Sequence, residues 1–339
     1  MFAIALVAVA AVTPLVRFLA IRRGFVARPS GDRFHARVVA LGGGIGLVLV
    51  LVPLLLVSGA ASRPGLPWLV GALVGTAALG LVDDLRGLRP VFKAAGQLAV
   101  AAVLVLGGGL LPAGVVTSWQ LIWALPLAVL WIVGVMNACN FLDNMDGILA
   151  GIVAVCGAAY WLAGGVADVL LAPALTGAAL GFLVHNVPPA RLFMGDVGSM
   201  SLGLLVAVLS LWTLVGGAAA GAPGGAEVVA LRGAAGLARW LGTALVLGYP
   251  LLDIIFVSVT RTRRGQPVYQ GGCDHTTHRL NRLLGGPWRT ALVVYLLAAV
   301  PAALGVMALA RPAIAGWLAL AGTAGLLGLG LALARVPAR

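Results

Sequence analysis

Long apolar runs broken by short polar stretches make up the chain. Runs near the roughly 20 residues that a bilayer requires fall at 1–20, 39–58, 67–82, 94–111, 120–137, 148–164, 169–185, 199–216, 240–259, 290–310 and 313–334. The pattern predicts an all-α, polytopic membrane helix bundle of about eleven spans, forming one integral-membrane domain over 1–339. Residues 1–20 lack a basic leading end, and Arg17, Arg22 and Arg23 come late. That run therefore reads as a first membrane helix rather than a cleaved signal. The segment 216–238, rich in Gly, Ala and Pro, reads as a flexible connection.

Composition supports this setting. The chain is 61% hydrophobic and 9% charged, with mean hydropathy +1.08, whereas about a quarter of a soluble domain is charged. Three cysteines, Cys139, Cys156 and Cys273, show no C-x-x-C spacing, which argues against both a disulfide framework and a zinc site. Loops 21–38, 83–93, 138–147, 186–198 and 260–289, with the C-terminal tail, hold 17 of the 22 basic residues. The opposite loops hold only Arg63, Arg232, Arg239 and Arg311. By the positive-inside rule the first set is cytoplasmic, the N-terminus outside and the C-terminus inside. Seven of the ten acidic residues and all four histidines fall on that same side, so the chemistry is expected on the cytoplasmic face. Asp253 is an exception, an acid within the ninth span and about two turns from its cytoplasmic end.

Four clusters carry the candidate chemistry. Asn137, Asn140, Asp143 and Asp146 recur every three residues at the end of an apolar run, and they would share one helical stripe if that helix continued. A carboxylate at the centre of a membrane costs roughly 2.5–3.5 kcal/mol, and less near the interface, so the stripe suggests a polar cavity or a cation. Asp83 and Asp84 are adjacent. They either share a divalent cation or balance Arg86 and Arg89. Lys93, the single lysine, offers a point charge suited to phosphate. Asp196, between Gly195 and Gly198, reads equally as a ligand-facing carboxylate and as a helix cap. The last inner loop combines Arg261, Arg263 and Arg264 with His275, His278 and Arg279. Clustered Arg with His suits a diphosphate. A positive-inside anchor explains the first arginines but not the histidines, whose spacing is not that of a helical zinc pair. Oxygen-rich clusters without thiolates favour a hard cation, Mg²⁺ with Mn²⁺ as the alternative. Together they suggest transfer between a soluble phosphate donor and a lipid acceptor. A secondary transporter would place charges at broken helices in the midplane and show repeated halves, and neither is visible in this sequence.

The motifs Asp83-Asp84, Asn140-x-x-Asp143-x-x-Asp146-Gly147, Phe193-Met194-Gly195-Asp196-x-Gly198-Ser199 and His275-x-x-His278-Arg279-Leu280 occur in this order. They resemble those of the polyprenyl-phosphate N-acetylhexosamine-1-phosphate transferases over about Arg33 to Arg282. Arg33-x-His35 and Gly42-Gly43-Gly44 look like that family's first inner loop and second helix. The resemblance implies a bacterial cytoplasmic-membrane enzyme that moves N-acetylhexosamine-1-phosphate from a UDP-sugar, UDP-N-acetylglucosamine first, to undecaprenyl phosphate, with UMP released. It implies Mg²⁺ at Asp196, with Asp83 and Asp84 beside the metal and lipid phosphate, Asp84 as a second ligand. Asn140, Asp143 and Asp146 would line the nucleotide and diphosphate site. Lys93 and Asn186 would contact phosphates or uridine, and His275, His278 and Arg279 would close over the diphosphate. Membrane lipid is the other expected partner; no nucleic acid is expected, and a homodimer is left open. Products of this kind feed teichoic acid, O-antigen or other envelope glycans. In two places the sequence departs from the pattern. Thr277 stands where relatives acting on simple sugars often carry a histidine. The triple histidine followed by glutamate of the phospho-N-acetylmuramoyl-pentapeptide transferases is absent, which makes that activity the alternative reading.

Overall fold

A computed structural model describes residues 1–27, 38–57, 65–111, 121–164, 168–215 and 233–337. Arg33, His35 and segment 216–232 lie outside the described residues. The helices are α1 (Phe2–Arg22), α2 (Gly43–Val57), α3 (Leu66–Arg86), α4 (Pro90–Gly107), α5 (Leu121–Leu142), α6 (Ile148–Ala163), α7 (Asp168–Asn186), α8 (Gly195–Val215), α9 (Gly233–Val246), α10 (Gly248–Arg263), α11 (Thr276–Leu284), α12 (Pro287–Ala310) and α13 (Ala315–Ala334), with a 3₁₀ turn at Pro312–Ile314.

A polytopic membrane bundle is what these helices form. Among the described residues seven helices are long and apolar enough to cross a bilayer, or eight if α9 and α10 make one bent span. Each remaining apolar run also forms a helix, but α2, α6 and α7 have shorter apolar stretches of 15 to 17 residues. At 1.5 Å per residue such stretches reach only about 22–26 Å, short of a hydrocarbon core of about 30 Å.

In three places the fold departs from the sequence pattern. The run 240–259 is not one helix: it breaks between α9 and α10 with a 68° bend. The loop 260–289 contains α11, whose apolar and polar sides are strongly segregated. The helix bundle also carries a minimal strand pair, β1 (Val26–Ala27) and β2 (Val39–Ala40), antiparallel with Val26 opposite Ala40, and Ala40 bridges on to Leu192. Two-residue strands carry too little pattern for period-two reading to find them.

α8 is the hub. It is buried along nearly its whole length and packs against α2, α3, α5, α6, α7 and α9. Two glycines let its N-terminus approach its neighbours. A Cβ at Gly44 would lie 2.0 Å from the Gly198 nitrogen, and one at Gly80 would lie 2.6 Å from the Asp196 carbonyl carbon. Backbone meets backbone at both contacts, so a methyl group has nowhere to go. The amides of Gly43 and Gly44 donate to the carbonyls of Phe193 and Met194, each at 2.9 Å. These bonds fix the strand that leads into α8.

Candidate functional site

The α3–α4 turn assembles the first part of the site. Gly87 ends α3 in the left-handed conformation (φ 64°), its N–H bonded to the Asp83 carbonyl, and Pro90 opens α4 three residues later. This tight reversal puts Lys93 beside Asp83, with Nζ 2.8 Å from Oδ2. The same Nζ lies 2.9 Å from Asp196 Oδ2 and 3.4 Å from Asn140 Oδ1. Asn140, in the last turn of α5, donates to Asp196 Oδ1 at 2.5 Å and to Ser199 Oγ at 2.8 Å. Asp83, Asn140 and Asp196, from three of the sequence clusters, thus converge on the Lys93 ammonium at the facing ends of α3, α4, α5 and α8.

Asp84 has a different task. Its Oδ1 accepts the Asp196 N–H at 2.9 Å and its Oδ2 the Val197 N–H at 3.2 Å. It therefore caps α8 from another helix, satisfying two amides that the helix itself cannot. The expected metal-ligand Asp84 is thus a helix-capping residue in this structure, each of its oxygens accepting one amide. Asp196, read from sequence as either ligand or cap, has its carboxylate free of the capping role.

The polar stripe of α5 is divided. Asn137 pairs with Gln97 of α4, its Nδ2 donating to Oε1 at 2.9 Å. The helix then stops at Leu142, so Asp143 and Asp146 lie on a turn that Gly147 closes at φ 77°. Asp143 is pushed up to about 8, first by burial and then by the charges of Asp196, Asp84 and Asp146, against a backbone hydrogen bond from Gly195. Asp146 Oδ2 accepts the Ala190 N–H at 2.9 Å. Asn186 is buried, its Oδ1 accepting from the Gly147 N–H at 3.0 Å and its Nδ2 donating to the Leu192 carbonyl at 2.9 Å. Its expected contact with substrate is corrected accordingly: both ends of the amide staple the acidic turn to the strand before α8.

The histidine helix α11 docks on this acidic turn. Thr277 Oγ1 donates to Asn144 Oδ1 at 2.8 Å. The His275 ring stands edge-on to Phe141 at 5.8 Å and 5.7 Å from the ring of His278. His278 is held down to about 4, chiefly by burial and then by His275. Burial works to raise the Asp274 carboxyl, but two hydrogen bonds and the charge of Arg261 outweigh it and hold the group below its usual range. Those bonds run from Arg261 Nε and Nη2 at 2.9 and 2.7 Å. Arg263 and Arg264 are exposed.

Arg279 does not face this site. Its Nη1 donates to the Leu333 carbonyl at 3.0 Å and to those of Ala334 and Val336, and its guanidinium lies over the Phe256 ring. A phosphate clamp by Arg279 is corrected to a C-terminal cap on α13. Sequence alone could not see this, because the acceptors are backbone carbonyls more than fifty residues away. The bonds of Ser199 to Asn140 and of Thr277 to Asn144 are invisible in the sequence for a similar reason. Such short polar side chains are ordinary at helix ends, and only their partners mark them.

The donor set tests the fit of a hard cation. Asp83 and Asp196 flank the Lys93 ammonium, with Asp84 and Asp143 close by, and every ligand atom these acids offer is oxygen. Among the described residues no group of three His, Cys, Asp or Glu side chains is placed to hold a metal ion together. Mg²⁺ is commonly bound through one or two carboxylates and completed by water and phosphate oxygens, and Asp83 and Asp196, on either side of Lys93, offer that number.

The comparisons follow the same residues. The model of glycosyl transferase family 4 matches 66–214, the segment from α3 through α8 that carries the Lys93 cluster. A Bacillus subtilis protein named probable undecaprenyl-phosphate N-acetylglucosaminyl 1-phosphate transferase is 32% identical over 87% of this chain and 80% of its own. The chain belongs to glycosyl transferase family 4. A second family 4 relative, decaprenyl-phosphate N-acetylglucosaminephosphotransferase of Mycobacterium tuberculosis, is 34% identical over 83% of this chain and 75% of its own. A phospho-N-acetylmuramoyl-pentapeptide-transferase of Shouchella clausii is 37% identical, but over 50% of this chain and 60% of its own.

Proposed function

We propose that this family 4 chain transfers N-acetylhexosamine-1-phosphate, with UDP-N-acetylglucosamine as the first donor, to undecaprenyl phosphate or a similar polyprenyl phosphate. The names of the relatives matched over most of the chain support the N-acetylglucosamine reading over the muramoyl-pentapeptide one. The observation that carries it is the convergence of Asp83, Lys93, Asn140 and Asp196 at the facing ends of four helices, where a lipid-borne phosphate and a soluble nucleotide can meet. The basic loops support a cytoplasmic placement of that end, with eleven spans and the N-terminus outside.

In the reaction an oxygen of the lipid phosphate attacks the sugar-linked phosphorus of the donor. The bond from that phosphorus to the bridging oxygen breaks, and UMP leaves with the electron pair. The nucleophile needs little help, since the second pKa of a phosphate monoester is about 6. The chain's part is positioning and charge balance. Lys93 neutralises one phosphate charge and sets the spacing of Asp83 and Asp196. Those two carboxylates would hold Mg²⁺, which when bound supplies charge neutralisation on the diphosphate. Asn140 keeps Asp196 in place. His275 and His278 stand on the helix that packs over the acidic turn and would face the diphosphate.

The test is UMP release by purified protein in detergent with undecaprenyl phosphate and a panel of UDP-sugars. Release with UDP-N-acetylglucosamine that requires Mg²⁺ is expected. Release only with UDP-N-acetylmuramoyl-pentapeptide would replace this reading with the alternative.

A further inference from the structure

Asp253 lies in α10, an apolar helix, and is fully buried. An ionisable group in such a place is costly unless it is bonded to partners that need it. Its partners are the first residues of the histidine helix. Oδ1 accepts the Thr276 N–H at 2.9 Å and the Thr276 hydroxyl at 2.5 Å. Oδ2 lies 2.8 Å from His275 Nδ1. The Thr276 hydroxyl proton is directed at Asp253, so the Tyr249 hydroxyl, 3.0 Å from Thr276 Oγ1, is the donor in that contact. Every hydrogen bond in the chain from Tyr249 through Thr276 therefore points toward the carboxylate. A carboxylate so placed accepts from His275 as well, which puts the proton of the imidazole on Nδ1.

We infer that Asp253 is the positioning residue for His275, fixing its tautomer and ring plane so that Nε2 is the nitrogen offered to the donor's diphosphate. This rests on the reading of His275 as part of the transferase site. The other charged or titratable groups around the ring are His278 on α11, Asp274 just before it, and Arg261 of α10, whose guanidinium lies over the Phe141 ring that His275 meets edge-on. Among the described residues the group hydrogen-bonded to Nδ1 is Asp253, so Asp253 sets the tautomer. A neutral amide in its place presents an N–H to Nδ1 in one of its two orientations, which moves the imidazole proton to Nε2.

The experiment is a double-mutant cycle between Asp253→Asn and His275→Ala, with kcat and donor KM read from UMP release. The expected result is a fall in kcat of about 10- to 100-fold for Asp253→Asn, the range seen when a partner behind a ligating histidine is lost, with donor KM within about twofold. In the His275→Ala background the same change should have no further effect, because its route is through the imidazole. Additive losses would overturn the proposal, as would an active Asp253→Asn protein beside an impaired His275→Ala one. A silent His275→Ala would overturn both this inference and the place of His275 in the site. Thr276→Val separates helix capping from positioning and should keep at least half of the turnover; a loss equal to that of Asp253→Asn would make capping the whole story. Should Asp253→Asn not fold, Asp253→Glu keeps the charge and displaces it by one methylene. The same fall in kcat at constant KM is expected there, and unchanged kcat overturns the proposal.

Discussion

Asp84 Oδ1 accepts the backbone N–H of Asp196 at 2.9 Å, so one acid of the paired aspartates holds in place the helix that presents another acid of the site. We predict that Asp84→Ala destabilises the protein by about 1–3 kcal/mol for each amide left without an acceptor, while Asp84→Asn, which keeps one carbonyl oxygen, loses about half as much. Thermal unfolding in detergent measures both. Equal midpoints for Asp84→Ala and wild type would remove the capping role.

Lys93 bridges Asp83 and Asp196 at 2.8 and 2.9 Å. Lys93→Met leaves adjacent carboxylates without their cation, and breaking a buried pair on one side costs about 3–5 kcal/mol. The group is only partly buried, so we predict a smaller loss of stability together with a fall in turnover of at least about 100-fold, the equivalent of about 2.7 kcal/mol. Turnover of Lys93→Met within threefold of wild type would show that the cluster is not at the reacting phosphates.

The Asp196 carboxylate accepts from Lys93 and Asn140. Asp196→Asn keeps the size and hydrogen-bonding reach of the side chain but removes its charge. The prediction is a rise of at least tenfold in the Mg²⁺ concentration giving half-maximal UMP release, read from a titration at saturating donor. An unchanged Mg²⁺ requirement would exclude Asp196 as a ligand.

For Arg279 the bonds to Leu333, Ala334 and Val336 predict a structural effect. Hydrogen bonds from a charged donor are worth about 1.5–3 kcal/mol. Arg279→Ala should therefore lower the unfolding midpoint by about 3–6 °C and leave donor KM within twofold. A raised KM with an unmoved midpoint would restore a phosphate-binding role.

His278 gives a pH dependence. Burial and His275 hold it at about 4 against an ordinary value of 6.5, so the folded state keeps it neutral where the unfolded chain would protonate it. Its contribution to stability is present above pH 6.5 and is lost as pH falls toward 4. In His278→Gln the drop in thermal midpoint between pH 7.5 and pH 5 should be smaller than in the wild type. Parallel pH slopes for the two proteins would rule this out.

The acids of the site were legible because an apolar chain has little other use for them. Asp83, Asp143 and Asp196 stand out in any reading of hydropathy, and so does the single Lys93. Direction was not legible. Asp83 and Asp84 are neighbours in sequence, yet one faces Lys93 and the other the α8 amides, a difference set by the packing of α3 against Asp196 and Val197. Asn186 and Arg279 look like substrate ligands by type but bond to backbone, which carries no sequence signal. Most helices were found within a few residues. The α9–α10 break was not, since apolar content continues across Leu247 and only the packed fold reveals the bend.

The burial of α8 also bears on the order of synthesis. Five of its main neighbours, α2, α3, α5, α6 and α7, precede it in the chain, and of its main neighbours only α9 follows. When a polypeptide is made from its N-terminus, a helix carrying Ser199, Ser201 and Ser210 leaves the ribosome after most of the walls that will surround it. Asp84, Lys93 and Asn140 are already in the membrane when Asp196 arrives. The acidic half of the site is therefore complete on a nascent chain that has not yet produced His275 and His278, so α11 and the residue before it add the second half to a finished first one.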